Sequence, residues 1–172
     1  MMRIPALLTV LFGLVCAAAW AAAPHAGQAA PPFKATTLDG KTLRLSSYKG
    51  KAVYLDFFAS WCAPCREETP AVVNFSKQYA KAGLVVVGLD DNESSDRATG
   101  FRDNFKIPFP VVIADQKLLD SYGVIALPVH VFIDRNGNVK IYRLGEMSSA
   151  QIEAAINAIL APVVPIAAQK RL

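Results

Sequence analysis

The stretch "AVYLDFFASWCAPCREETPAVV", residues 52–73, constrains the fold more than any other, because it sets two cysteines three apart between an apolar run and a charged one. Residues 52–58 form a short apolar run flanked by turn-forming residues, the pattern of a buried strand. Residues 66–82 place Val72, Val73, Phe75, Tyr79 and Ala80 near helical spacing, with Gly83 as the stop. Pro70 lies inside that run and is expected to kink or restart the helix. A strand therefore delivers Cys62 and Cys65 to the beginning of a helix.

Three chemistries are open to such a pair. A structural zinc needs four ligands, and the chain offers no second pair and only His25 and His130. No metal is expected. A purely structural disulfide would close a loop of two intervening residues, which removes little unfolded-state entropy. A chain of 172 residues also builds its core without such a staple. The redox reading fits each local feature. A helix N-terminus presents unpaired N–H groups and a positive partial charge, both of which favour a thiolate. Cys62, outermost, is the expected attacking sulfur, and Cys65 lies one helical turn on, within reach. Pro64 suits the first turn, where a missing N–H costs nothing, and Trp61 is placed to shield the sulfurs from one side.

Composition excludes other classes. At 53% hydrophobic and 19% charged residues the chain reads as an ordered globular protein, about one domain in size. The net charge of +4 is mild and the basic residues are scattered, so no nucleic-acid footprint is expected. The N-terminus is a targeting element. Met1-Met2-Arg3 precedes residues 4–23, which carry no charge and end in small residues. That describes a signal peptide cut near Ala21, or an uncleaved anchor of the right length to span a bilayer. Either way the domain is expected outside the cytoplasm, where thiols meet oxidants. The third cysteine, Cys16, falls within this segment, leaving Cys62 and Cys65 as the thiols of the folded part.

Residues 24–32, rich in Ala, Pro and Gly, read as a linker, residues 33–161 as one α/β domain, and residues 162–172 as a Pro-broken tail. Within the domain Asp39-Gly40 marks an edge hairpin carrying Leu43 and Leu45. Residues 84–90 read as a second buried strand, 95–106 as a helix, 111–114 as a short strand and 117–122 as a brief helix. Asn136-Gly137 sits between two alternating runs, the clearest hairpin in the chain, and Ser148 with Gln151 forms a capping box opening a last helix to Leu160. The result is a central mixed sheet with helices on both faces.

These pieces resemble the thioredoxin superfamily, and within it the exported TlpA/ResA-like thiol–disulfide oxidoreductases. The matching stretches are "GKAVYLDFFASWCAPCREETP", "VVVGLDDNES", "FPVVIADQKLLDSYGVIALPVHVFIDRNGNV" and "LGEMSSAQIEAAINAIL". The resemblance implies a thioredoxin-like fold with a β-α unit inserted before the strand that follows a cis-proline at Pro128. It also implies Cys62 as nucleophile and Cys65 as resolving cysteine, with the backbone of Leu127 pairing to a substrate peptide. Glu68 matches a family glutamate able to take or give a proton. Asp56 departs from the subgroup's usual asparagine but matches the buried aspartate of ordinary thioredoxins. A carboxylate in an apolar strand should have its pKa raised towards the range useful for proton transfer. Phe58 stands where tryptophan is usual. Val129-His130 replaces small hydroxyl residues, and His130 reads as a partly exposed strand residue, with titration near the site as the alternative.

The resemblance further implies a periplasmic enzyme that needs no cofactor and acts as a monomer on protein disulfides. Its clients include apocytochrome c or its chaperones, and it is recharged by a membrane electron donor. The neutral Ala63-Pro64 pair and the nearby carboxylates favour a reductant. A general disulfide reductase or isomerase, an oxidant, and an anchored binding module without catalysis remain alternatives. A peroxiredoxin-like peroxidase is disfavoured, since Ala59 stands three before Cys62 where such sites carry threonine.

Overall fold

The computed structural model describes residues 23–162; residues 1–22, where a targeting element is expected, and residues 163–172 of the expected tail lie outside the described residues. Strands β1 (Lys34–Thr36) and β2 (Thr42–Arg44) pair antiparallel around Gly40, whose φ of 75° suits the turn. The main sheet holds β3 (Ala52–Phe58), β4 (Leu84–Asp91), β5 (Val111–Ala114), β6 (Val129–Ile133) and β7 (Val139–Leu144), in the order β5-β4-β3-β6-β7. β3, β4 and β5 run parallel, whereas β6 and β7 are antiparallel to their neighbours. The sheet is mixed, as expected.

Helices α1 (Ala63–Gln78), α2 (Ser95–Asn104), α3 (Gln116–Ser121) and α4 (Ser149–Leu160) cover it. All seven residues of β3 are buried, so the strand reads as a continuous apolar run. Its alternate residues serve two cores. Ala52 and Tyr54 pack with Val72 and Phe75 of α1 and with Ile152, Ile156 and Ile159 of α4. Val53, Leu55 and Phe57 pack on the other face with Leu118 and Leu119 of α3 and with Tyr122. A third cluster at the C-terminal end of β3 gathers Phe58, Ala59, Cys62, Cys65 and Val73 with Phe101 of α2. β5 and α3 form the β-α unit that precedes the cis-proline strand.

Two expectations need correction. α1 runs unbroken through Pro70, which neither ends nor restarts it. Pro70 is exposed, so its ring displaces no packing, and the buried Thr69, Val72, Val73 and Phe75 hold the helix together across the missing bond. The stretch read as a linker does not hang free. The N–H groups of Gly27 and Ala30 donate to the carbonyls of Val139 and Gly137 at 2.8 and 2.9 Å, and Val139 N–H donates to Gln28 O at 2.8 Å. The unpaired edge beside β7 needs partners for its backbone, and this segment supplies them. Among the described residues no helix is long and apolar enough to cross a membrane.

Candidate active site

Cys62 is the N-cap of α1, and its Sγ accepts a hydrogen bond from the Cys65 N–H at 3.3 Å. A sulfur at this position meets one of the N–H donors that a helix start leaves unsatisfied. The two cysteines are joined as a disulfide, with Cα atoms 5.3 Å apart. Pro64 falls in the first turn. Both sulfurs are buried, Cys62 at 4% exposed and Cys65 at 3%, whereas Trp61 is 61% exposed and stands out into solvent. Its ring is open to a partner.

The loop facing these residues contains the cis peptide Leu127–Pro128. Leu127 is half-buried and packs on the same apolar cluster as Cys62 and Cys65. Leu127, far from the cysteines in sequence, thus shares one patch with Cys62 and Cys65, while Ile125 is exposed.

A polar array lies beneath the sheet's α1 face. Asp56 and His130 are direct cross-strand partners in the β3–β6 register, with His130 Nδ1 3.6 Å from Asp56 Oδ1. Tyr54, two residues before Asp56 on the same face, places its hydroxyl 2.7 Å from His130 Nδ1 and donates to Asp56 Oδ1 at 3.4 Å. On the other side His130 Nε2 stands 3.3 Å from Glu68 Oε2. Glu68 Oε1 accepts the N–H of Met147 at 2.5 Å. Glu68 also lines an open cleft of about 460 Å³ together with Pro64, Glu67, Glu146 and Ser149.

Burial pushes the Asp56 carboxyl up to about 6; the His130 imidazole pulls against that rise and the Glu68 charge adds to it. Burial likewise lifts the Tyr54 phenol well above its ordinary value, helped by the charges of Asp56 and Glu68. The expected rise at Asp56 is present, by the expected cause.

His130 contradicts its reading as partly exposed: it is fully buried, between two carboxylates. The reason is that β6 is an inner strand with neighbours on both sides. Tyr54 escaped notice altogether. Period-two alternation from Asp56 reaches it, and pairing β3 with the hairpin strand would have brought in His130.

A second polar group anchors the approach to Cys62. The Ser60 N–H and hydroxyl donate to the two carboxylate oxygens of Glu93, at 2.5 and 2.7 Å. Glu93 N–H donates to Asp90 Oδ1 at 2.9 Å, and Arg97 lies 3.7 Å from Glu93. The Asp90 carboxyl is held well above the usual range, chiefly by burial. For Glu93 burial also acts upward, but the Ser60 hydrogen bonds outweigh it and its pKa is lowered.

The site as a whole offers a buried sulfur pair at a helix start, an apolar patch beside it and one carboxylate, Glu68, a helical turn after Cys65. That suits thiol–disulfide exchange through a mixed disulfide. The family description "AhpC/TSA family" matches residues 26–142. A ResA thiol–disulfide oxidoreductase of Bacillus anthracis is 35% identical over 134 residues, 77% of this chain and 78% of that one. The thioredoxin-like protein YneN of Bacillus subtilis is 34% identical over 133 residues, 76% of this chain and 78% of its own. A crystal structure of a thiol:disulfide interchange protein of the thioredoxin family from Chlorobium tepidum superposes with a TM-score of 0.74 at 32% identity, covering 81% of this chain and 100% of that one. The chain belongs to the AhpC/TSA family, has the thioredoxin fold, and is a thiol–disulfide oxidoreductase that carries the Cys62–Cys65 pair.

Proposed function

We propose that this AhpC/TSA-family oxidoreductase is a disulfide reductase of exported proteins. The observation that carries the reading is the Cys62 sulfur at the N-cap of α1, bonded to Cys65 across the uncharged Ala63-Pro64 pair. In the reduced enzyme the Cys62 thiolate attacks a client disulfide. One client sulfur leaves as a thiolate, and a Cys62–client disulfide forms. Cys65 then gives up its proton and attacks Cys62, releasing the second client thiolate and closing the Cys62–Cys65 bond. Two electrons pass from the dithiol to the client.

Direction follows from which form the surroundings favour. An oxidant of this kind stabilises its reduced thiolate. Here Ala63 and Pro64 add no positive charge, and Asp56 and Glu68 oppose one more negative charge nearby. The reduced form is therefore a ready donor. Trp61, Leu127 and cis-Pro128 form the surface on which the client's extended backbone is laid, while Asp56 and Glu68 handle the Cys65 proton. The charge-free N-terminal segment supports export to the periplasm, either free or tethered. Apocytochrome c or its thiol chaperones fit as clients, and re-reduction calls for a membrane electron donor. The enzyme works as a monomer without a cofactor.

The test is the reduction potential of Cys62–Cys65, read by counting free thiols in defined thiol buffers. A value near or below roughly −250 mV is expected; one near roughly −120 mV makes the protein a disulfide donor instead. Hydrogen peroxide consumption measured alongside should be negligible, given Ala59 where a peroxidatic site carries threonine. Rapid turnover of peroxide would replace this reading.

A further inference from the structure

We propose that Tyr54 and His130 join Asp56 and Glu68 into one buried proton path, which carries the proton released by Cys65 to the open cleft beside α1. The proposal rests on the exchange chemistry above and adds to it two positioning residues that touch neither sulfur.

A histidine is an expensive core residue. Burying an imidazole costs free energy unless both ring nitrogens find partners, and an aliphatic side chain would fill the same space more cheaply. His130 is nevertheless fully buried, and each nitrogen is aimed at acidic groups. Nδ1 meets the Tyr54 hydroxyl at 2.7 Å and Asp56 at 3.6 Å, and Nε2 meets Glu68 at 3.3 Å. The Nε2 contact is not aligned as a hydrogen bond, so this buried atom is left without a partner. A slight turn of ring or carboxylate closes it. An imidazole takes a proton on one nitrogen and releases it from the other, which makes it the natural link between two carboxylates. The Tyr54 hydroxyl both donates and accepts and completes the inner end.

The groups facing His130 come from three elements: Tyr54 and Asp56 from β3, Glu68 from α1, and the exposed Arg143 from β7, its partner in the β6–β7 register. Among the described residues no lysine or arginine forms an ion pair with either carboxylate. Arg143 makes no ion pair with either carboxylate, so neither is locked in the charged state by direct contact with a cation. The raised Asp56 pKa, at about 6, agrees with a group that exchanges protons near neutrality. The outer end is open, since Glu68 lines the cleft and is fixed there by the Met147 N–H. At the inner end Cys65 is buried on α1 over the same sheet face from which Tyr54 and Asp56 project, so its proton has no direct way to water.

In the resolving step the Cys65 S–H bond breaks and the Cys65–Cys62 bond forms. The Cys62–client bond breaks, and its electron pair leaves with the client thiolate. The proton goes to Asp56, crosses the His130 ring and leaves from Glu68. Re-reduction runs the same path inward.

The experiment follows the resolving step in the full chain by rapid mixing of reduced protein with hydroxyethyl disulfide from pH 5 to 9. His130→Gln and Tyr54→Phe should each slow resolution at least about tenfold at pH 7, the scale of a lost proton-transfer partner. Their double variant should be no slower than either single one. The first attack by Cys62, measured in a Cys65→Ser background, should be unchanged. Resolution at the wild-type rate with the wild-type pH profile in a folded variant would overturn the path. The wild-type protein gives a check that needs no substitution. A bowed dependence of the resolving rate on deuterium fraction supports a chain of protons in flight, whereas a straight line overturns it. If the wild type exchanges normally and these variants do not differ from it, the path alone fails. If the wild type does not exchange at all, the reductase reading falls with it.

Discussion

Glu93 takes both polar groups of Ser60, its N–H and its hydroxyl, on the two oxygens of one carboxylate. Ser60 lies two residues before Cys62, and Glu93 follows the end of β4, so the contact ties the approach to the sulfur onto the sheet. The pair is partly buried, and the lowered Glu93 pKa marks a carboxylate held in its charged form. Such charge-assisted bonds are stronger than neutral ones. Glu93→Ala should lower stability by about 1.5–3 kcal/mol and slow thiol exchange severalfold, with Glu93→Gln intermediate. Urea unfolding and the exchange rate check it together; an unchanged midpoint would show that the loop is held by its apolar contacts alone.

The Asp56 carboxyl sets a pH dependence of definite sign. Its pKa is about 6 in the folded protein against 3.8 as the ordinary value, so the folded state binds more protons between those two pH values. Stability therefore falls as pH rises through that window and levels off above it. The cost at pH 8 is on the order of 3 kcal/mol, from a difference of roughly two pH units. Asp56→Asn should remove it, raising stability at pH 8 and leaving it nearly unchanged at pH 3.5. Chemical denaturation at the two pH values decides. A variant less stable than the parent at pH 8 means that the charge is held by Tyr54 and His130 at no net cost.

Most of the fold was legible because its signals are local. The strand Ala52–Phe58, the strand Val111–Ala114, the Asn136-Gly137 hairpin and the Ser148–Gln151 box depend on neighbours a few residues apart. So does the cysteine pair, since strand, turn and helix start follow one another directly. What escaped depends on pairing across the chain. His130 reads as a partly exposed strand residue from local sequence, whereas its burial follows from β6 lying inside the sheet, opposite Asp56 and 74 positions further along. Ser60 and Glu93 meet across 33 positions and carry no motif that announces it. Pro70 does not restart the helix for a different reason: tertiary packing of the adjacent buried residues carries α1 through the missing hydrogen bond.

The capping box at α4 sits beside the site as well as on the helix. Ser148 Oγ accepts the Gln151 N–H at 3.3 Å, and Gln151 Oε1 accepts the Ser148 N–H at 2.8 Å. The preceding residue, Met147, holds Glu68 through its N–H. Ser148→Ala should cost about 1 kcal/mol of stability. The same change should loosen Met147 and shift the pH profile of exchange, whereas a cap lost with no such shift would separate the helix start from the site.

Two glycines make opposite forecasts. Gly88 in β4 is packed so closely that an added methyl would lie 2.9 Å from the Phe58 ring and 3.2 Å from Val111. Phe58 has little room to retreat, because it stacks on Phe101 with centroids 4.7 Å apart in the cluster that holds both cysteines. Gly88→Ala should therefore destabilise by about 1–3 kcal/mol, the usual scale of overpacking. Gly100 lies within α2 with nothing near the position a methyl would take, and it has an ordinary φ. There a methyl only restrains the unfolded chain and improves helix propensity, so Gly100→Ala should stabilise by roughly 0.5–1 kcal/mol. Thermal unfolding of both variants in one buffer tests the contrast. Equal shifts would mean that β4 can move away from Phe58, and the close packing beside the disulfide would then not be what holds Phe58 in place.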